Sequence, residues 1–444
     1  MKTILFIGSN KSGSGYEAIK ASESMLYYTV LLTDRQSFLQ KMMDFPHVHL
    51  MMSCDLNNLN EIRDKIAQLK MRSLDICAIV SFMDPHCYTA AVLSREFGLK
   101  GFSEKAIAVM LDKVKSREVL DGSPYSPFYR IINDKNMRPV PVSNEMPLVL
   151  KSPKSSGSKD VHLAWTPQQY GKALAELQAK YPDTPVLAEK FLKGPQYLVE
   201  TLTVNGKVHI VAVIEQEITF TGRFIVTGYK MITNDKNAYF DSLKAAAAAI
   251  IRIHDMRDGP CHLEIRRFGN EWKLIEANPR IAGGAMNLFI ETAFGVNLAK
   301  ETLKCALRLE PDLQRKTQKE SFLQYIVVPK EGILTKVTGK HMTQSSPGIE
   351  HVYVKPRIGS VLIPPVSMGN RYAYVIATGD SDHKARNNAK IGASKIKFHL
   401  RAMDAGAVLL TDREKAALDE MKRNRARGGL DAFSGNVVFD TTLK

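Results

Sequence analysis

His262-Leu-Glu264-Ile-Arg266-Arg-Phe-Gly269-Asn-Glu-Trp-Lys-Leu-Ile-Glu276-Ala-Asn278-Pro-Arg280 reads as two strands about a turn, carrying two carboxylates, a carboxamide and a guanidinium on or beside them. Strand side chains alternate faces, so Glu264 shares a face with His262 and Arg266, and Glu276 with Asn278, while Leu263 and Ile265 point the other way. An odd-length loop at Gly269-Asn270-Glu271 sets Glu264 opposite Glu276 and His262 opposite Asn278; a two-residue loop puts the two glutamates on different faces. Facing carboxylates repel unless a cation lies between them, and carboxylate and carboxamide oxygens are hard ligands that Mg²⁺ takes together with nucleotide phosphates. The chemistry selects the odd loop and marks Glu264, Glu276 and Asn278 as metal ligands. An edge hairpin with solvated glutamates is the plainer alternative.

Three upstream segments bear on the same chemistry. Asp112-Lys113-Val-Lys-Ser-Arg117-Glu begins a helical run; Leu148-Val-Leu-Lys151-Ser-Pro-Lys-Ser155-Ser156-Gly157-Ser158-Lys159-Asp-Val161 reads as strand, flexible loop, strand. Val186-Leu-Ala-Glu189-Lys190-Phe191-Leu192-Lys-Gly194-Pro-Gln196-Tyr-Leu-Val-Glu200 reads as strand, hinge and return strand. With Glu-(eleven residues)-Glu-x-Asn-Pro-Arg and Gly283-Gly284 behind them, these motifs resemble, in type and order, those of the ATP-grasp ligases over residues 112 to 284.

The resemblance implies one nucleotide site. Lys113 and Lys151 place ammonium charges on the ATP phosphates, and the loop Ser155, Ser156, Gly157, Ser158 offers backbone N–H groups over them. Glu189 and Lys190 flank the adenine, with Phe191 and Leu192 as apolar walls. Lys151 follows the apolar stretch from Pro147 to Leu150, which favours a role in the site; Lys154 and Lys159 read as solvated surface. Gln196 stands where family members often carry Glu, which leaves the ribose contact open. Mg²⁺ is the implied cofactor beside ATP, with Mn²⁺ able to substitute. Arg280 is placed on the transferred phosphoryl group or the carboxylate, its planar fork suited to either, and Gly283 and Gly284 leave N–H groups near the same anion.

Composition bounds the reading. The 444 residues suffice for two or three domains, with an ordinary globular balance of 44% hydrophobic and 24% charged residues. Five cysteines without a C-x-x-C pair indicate neither a disulfide framework nor a zinc site. The net charge of +15 comes from scattered Lys and Arg without a nucleic-acid signature, and the cluster Lys422 to Arg427 reads as a solvated helix end, so no nucleic-acid partner is expected. No run reaches a membrane span, and Met1 to Gly8 is too short for a signal segment; a cytoplasmic chain without a membrane partner is expected.

The expected fold is α/β, turning α+β in the ATP-grasp body. Residues 1–110 alternate apolar runs (4–7, 28–32, 48–52, 76–80 and 98–102) with helical segments, as in a Rossmann-like domain; the Gly8 to Gly15 loop lacks the G-x-G-x-x-G order of a dinucleotide site. Residues 111–310 form the ATP-grasp domain, with a mobile lid subdomain at about 115–188 and helices at 167–180, 242–254 and 297–307. Residues 311–444 form a C-terminal α+β lid, with strands near 322–328, 349–354, 360–363 and 371–378 and a helix from Asp382 toward Leu400.

The resemblance implies carboxylate activation: a substrate carboxylate attacks the γ-phosphate of ATP, and an amine displaces phosphate from the acyl phosphate. The domain wording is most similar to that of the bacterial L-amino acid ligases, so the implied substrates are two amino acids, the product a dipeptide, and the assembly a homodimer. Glu215 and Glu217, on one face of a strand, are candidate acceptors for the amine proton, and solvated exposure competes for both. His262 contacts phosphate or donates to Asn278 as a structurally satisfied histidine. Arg223 and Lys230 lean toward substrates with extra negative charge. A bicarbonate-using carboxylase, an amide ligase for another carboxylate, a D-alanine ligase relative and a nucleotide-binding module without turnover are the competing readings.

Overall fold

The computed structural model describes residues 1–133, 145–153, 160–220 and 224–403. The expected phosphate loop (Ser155, Ser156, Gly157, Ser158), Lys154, Lys159, Arg223 and the basic cluster at 422–427 lie outside the described residues. The chain divides into two compact units, one of Met1–Pro127, Tyr197–Val213 and Asn234–Thr317, the other of Phe128–Gln196, Ile214–Thr233 and the chain from Gln318 onward.

The first segment runs β1 (Lys2–Ile7), α1 (Ser14–Ser24), β2 (Tyr28–Thr33), α2 (Gln36–Leu39), β3 (Leu50–Ser53), α3 (Leu59–Met71), β4 (Asp75–Val80), α4 (Asp84–Glu96), α5 (Glu104–Met110) and α6 (Lys113–Leu120). Next come β5 (Tyr129–Ile132), β6 (Leu148–Lys151), β7 (Val161–Ala164), α7 (Pro167–Lys180) and β8 (Val186–Lys190), then β9 (Gln196–Val204), β10 (Lys207–Phe220) and β11 (Phe224–Met231). They lead into α8 (Ala238–Ile253), β12 (Gly259–Phe268), β13 (Glu271–Asn278), α9 (Met286–Phe294) and α10 (Leu298–Ala306). The rest is β14 (Glu320–Ile326), β15 (Gly332–Thr338), α11 (Lys340–Gln344), β16 (Ile349–Val354), β17 (Val361–Leu362), β18 (Ala373–Gly379), α12 (Asp382–Lys395) and β19 (Lys397–Arg401).

In the first unit β3-β2-β1-β4 form a parallel sheet. Its strands are continuous apolar runs because helices cover both faces, and Leu5, Ile7, Val30 and Leu32 bury against Ile62, Ile66 and Leu69 of α3. The run 98–102 is a loop and not a strand: Gly98 takes φ +69° just past α4, a left-handed ending open to glycine at little cost, and the backbone leaves the sheet. The same unit holds strands ordered β13-β12-β9-β10, with the alanine-rich α8 burying Ala246, Ala247, Ile250 and Ile251.

The second unit holds β5-β8-β6-β7 with α7 laid on it through Tyr170, Ala173, Leu174 and Leu177, and also strands ordered β10-β11-β14-β18-β16. A small sheet, β17-β15-β19, completes it. The helix expected to run toward Leu400 stops at Lys395; Ile396 turns extended and 397–401 pairs with β15 as a strand. Alternation in Lys397-Phe398-His399-Leu400 favours that pairing, because Phe398 and Leu400 reach the Val328, Leu334 and Leu362 core.

The hairpin of β12 and β13 sets Glu264 opposite Glu276 and His262 opposite Asn278, by a different route from the expected odd loop. Phe268 pairs with Glu271, leaving a two-residue loop at Gly269-Asn270, and the register then shifts between Glu264 and Ile265, opposite Glu276 and Leu274. Ile275 is the extra residue of a β-bulge, which moves Glu276 onto the face of Glu264. Its carbonyl accepts a 2.8 Å hydrogen bond from the buried Arg117 of α6, so the bulge is anchored.

Candidate active site

The first unit carries the acidic hairpin. Lys113, at the start of α6 with Asp112 capping the helix through Val114 N and Lys115 N, puts its ammonium 2.9 Å from Glu276. His262 donates from Nδ1 to Glu200 at 2.9 Å and lies 3.7 Å through Nε2 from Glu264. Burial works against a charged imidazole, but Glu200 and Glu264 outweigh it and push His262 up to about 9. The second Glu200 oxygen accepts from Ala282 N at 3.2 Å, tying β9 to the turn after Arg280. His262 thus has Glu200 as its partner, where Asn278 was the structural partner expected.

A divalent cation fits this face by its donors. Two opposed carboxylates and Asn278 supply hard oxygens, and two protein cations already lean on them, as two repelling anions require. Among the described residues no three His, Cys, Asp or Glu side chains converge into a preformed metal cage.

Arg280 is engaged by a carboxylate of the protein itself. Its Nε and Nη2 meet the two oxygens of Asp84, the first residue of α4, at 2.5 and 2.6 Å, and Nη1 donates to Ile281 O. Burial opposes the charge, and Asp84 outweighs it, holding the guanidinium above its ordinary range. Beside it, Ser14 Oγ donates to Ala282 O, and Gly13, at φ +87°, lies so close to the Gly284 backbone that a Cβ would stand 3.3 Å from it. The Gly8 to Gly15 loop is thus braced against the Gly283-Gly284 turn, where a side chain would intrude.

In the second unit Lys151 and Glu189 form a pair of 2.5 Å, both almost fully buried on neighbouring strands β6 and β8. Lys190 donates to Glu145 O and Met146 O, Phe191 N to Pro147 O, and the Phe191 ring meets Trp165 at 6.0 Å. Leu192 and Gln196 are buried. Glu217 is paired with Arg386 and with Lys390 (2.9 Å) of α12. Glu215, one step along the same face, is pushed up by burial against the pull of Lys230.

Asp84, Glu200 and Arg117 were missed in the sequence. Asp84 sits in Met83-Asp84-Pro85, which reads as a helix start, and nothing local says that its carboxylate reaches a guanidinium 196 residues on.

Comparison with known proteins agrees with this geometry. Residues 144–287 match the family model of the ATP-grasp domain, and residues 324–401 match that of the L-amino acid ligase C-terminal domain 2. The protein y4rH of Sinorhizobium fredii is 23% identical over 337 residues, covering 74% of this chain and 70% of its own. Dapdiamide A synthase of Enterobacter agglomerans is 24% identical over 181 residues, 40% of this chain and 43% of that protein. The L-amino acid ligase of Bacillus licheniformis has the same fold, with TM-score 0.78 over 91% of this chain and 99% of that one at 16% identity. Phosphoribosylglycinamide synthetase of Anaerococcus prevotii follows at TM-score 0.71, with 14% identity over 90% and 100% of the two chains. The chain carries an ATP-grasp domain at residues 144–287 and an L-amino acid ligase C-terminal domain at residues 324–401, on a fold shared with the L-amino acid ligase structure.

Proposed function

We propose that the chain joins the carboxylate of one amino acid to the amine of a second, cleaving ATP to ADP and phosphate. The observation that carries this reading is the L-amino acid ligase match of residues 324–401, taken together with the paired Glu264 and Glu276. A substrate carboxylate oxygen bonds to the γ-phosphorus and the bond to the ADP oxygen breaks. The incoming neutral amine then attacks the acyl carbon and phosphate leaves.

Each residue has a part that follows from its charge. Lys151 and Lys113 exchange their glutamate partners for nucleotide phosphates, while Glu189, Lys190, Phe191 and Leu192 take the adenine, beside Gln196. Serines 155, 156 and 158 with Gly157 close over the phosphates. Glu264, Glu276 and Asn278 would hold Mg²⁺, or Mn²⁺ in its place, which neutralises phosphate charge when bound. Arg280 exchanges Asp84 for the substrate anion, and Gly283 and Gly284 present N–H groups to it. Glu217 is committed to α12, so the amine proton goes to Glu215. A cytoplasmic homodimer completes the reading, checked by light scattering and cell fractionation.

The test is incubation of the purified chain with Mg·ATP and pools of the twenty L-amino acids, following phosphate and new masses, with Glu276→Ala as control. A mass of two amino acids minus water, absent in the variant, is the expected result. Phosphate released only with bicarbonate, or with no amide formed, overturns the dipeptide reading.

A further inference from the structure

In the second unit one sheet face bears a row of tyrosines. Tyr229 of β11 is opposite Leu323 of β14, Tyr325 opposite Tyr374 of β18, and Tyr374 opposite Tyr353 of β16, so alternation brings all four to one side. Their rings touch in sequence at 6.0, 5.8 and 5.3 Å between centroids.

On this bed lies Arg371, its guanidinium carbon 3.8 Å from the centre of the Tyr325 ring. It donates from Nε to Met368 O at 3.2 Å, and from Nη1 to Val226 O at 3.2 Å and Tyr229 Oη at 3.1 Å. Every acceptor is neutral. A guanidinium sunk this far ordinarily meets a carboxylate, because a desolvated charge without a counter-charge is unfavourable. A second cation acts on the same corner: Lys355 donates to Gly369 O at 3.0 Å and is pushed below the usual lysine value by partial burial and by Arg371. Directly opposite Tyr229 on β10, Gln216 is 8% exposed and its Oε1 has no hydrogen-bond partner.

Two like charges at one corner, aromatic rings beneath the guanidinium and an unused amide acceptor on the face of those rings make a poor structural cluster and a good receptor for an organic anion. We propose that Arg371, on the tyrosine bed, and Lys355 bind the carboxylate of an amino-acid substrate. The planar fork suits a carboxylate, the rings suit the carbon skeleton behind it, and Gln216 Oε1 is free for a ligand N–H. Inorganic phosphate would leave the rings and the acceptor unused. The identification of the ligand as an amino acid rests on the ligase reading above. The carboxylate is either the α-carboxylate common to all amino acids or the side-chain carboxylate of an acidic one.

Equilibrium binding to the full chain, by calorimetry with and without Mg·ADP, separates these. The probes are glycine, alanine, aspartate, glutamate, asparagine, glutamine and inorganic phosphate; the variants are Arg371→Gln and Lys355→Met, with circular dichroism as a check of folding. Losing a charge-assisted hydrogen bond weakens binding about 10- to 100-fold. Weakening on every amino acid assigns the α-carboxylate, and weakening confined to aspartate and glutamate assigns the side chain. Unchanged binding in a folded Lys355→Met or Arg371→Gln overturns the proposal, as does no binding of any amino acid to the parent chain, or phosphate bound more tightly than all of them. Should Arg371→Gln not fold, Lys355→Met decides. Because no ATP is turned over, amino-acid binding through Arg371 in a chain that makes no dipeptide sinks the ligase reading and leaves this site standing.

Discussion

Arg280 gives two nitrogens to one carboxylate, with Nε and Nη2 at 2.5 and 2.6 Å from the oxygens of Asp84. The guanidinium that follows the hairpin is thus engaged by a helix start of the parallel-sheet segment. Removing the carboxylate in Asp84→Ala leaves the guanidinium unpaired. We expect a loss of about 2 kcal/mol by urea denaturation, below the range for fully buried pairs because both side chains keep some contact with water. Asp84→Asn keeps an acceptor and should lose less. If Asp84 aims Arg280 at substrate, Asp84→Asn raises KM for the carboxylate substrate and leaves KM for ATP in place.

Lys151 and Glu189 form a buried ion pair between strands of the second unit. Lys151→Met takes the ammonium away from a buried carboxylate, which should lower stability by about 3 kcal/mol and abolish nucleotide binding. Adding Glu189→Leu should restore most of the stability, since an apolar pair tolerates burial, and none of the nucleotide binding. Nucleotide affinity by calorimetry, with melting as the parallel readout, tests both halves.

His262 stands at about 9 in the folded chain against an ordinary 6.5. Its raised value means that the stabilisation from Glu200 and Glu264 is fully present below pH 6.5 and fades as pH rises through about 9. The shift corresponds to about 3 kcal/mol at most. Melting temperature should fall across pH 6.5 to 9 in the parent chain, and the fall should flatten in Glu200→Gln. A parent chain whose stability is level over that window would show His262 to be neutral.

Glu215 and Glu217 share a strand face and differ in their company. Glu217→Gln breaks the contact with Arg386 and Lys390, so about 1 kcal/mol of stability should go while turnover stays within a few-fold. Glu215→Gln should reduce turnover more than stability, with the largest loss in the amide-forming step. Phosphate release and product mass measured side by side separate the two.

The acidic hairpin was legible because its information is local. Glu264, Glu276 and Asn278 sit at spacings that alternation converts into a shared face, and only the means differed, a bulge at Ile275 doing what an odd loop would have done. A bulge depends on where its extra carbonyl finds a donor, here Arg117 of α6, which lies far away in sequence. The strand at 397–401 escaped the reading for a similar reason: it is a strand only because β15 offers an edge.

The order of the motifs, the parallel sheet and the residues that bear charge could be read along the chain, because periodicity and short motifs are written within a few residues of one another. Tertiary structure alone decided the partners of those charges: Asp84 for Arg280, Glu276 for Lys113, Glu189 for Lys151, and for Arg371 a bed of tyrosines and no carboxylate. A side chain's charge is fixed by its type, but whether it is neutralised is set by what burial brings within a few ångströms of it, and those neighbours come from chain segments that no local pattern connects.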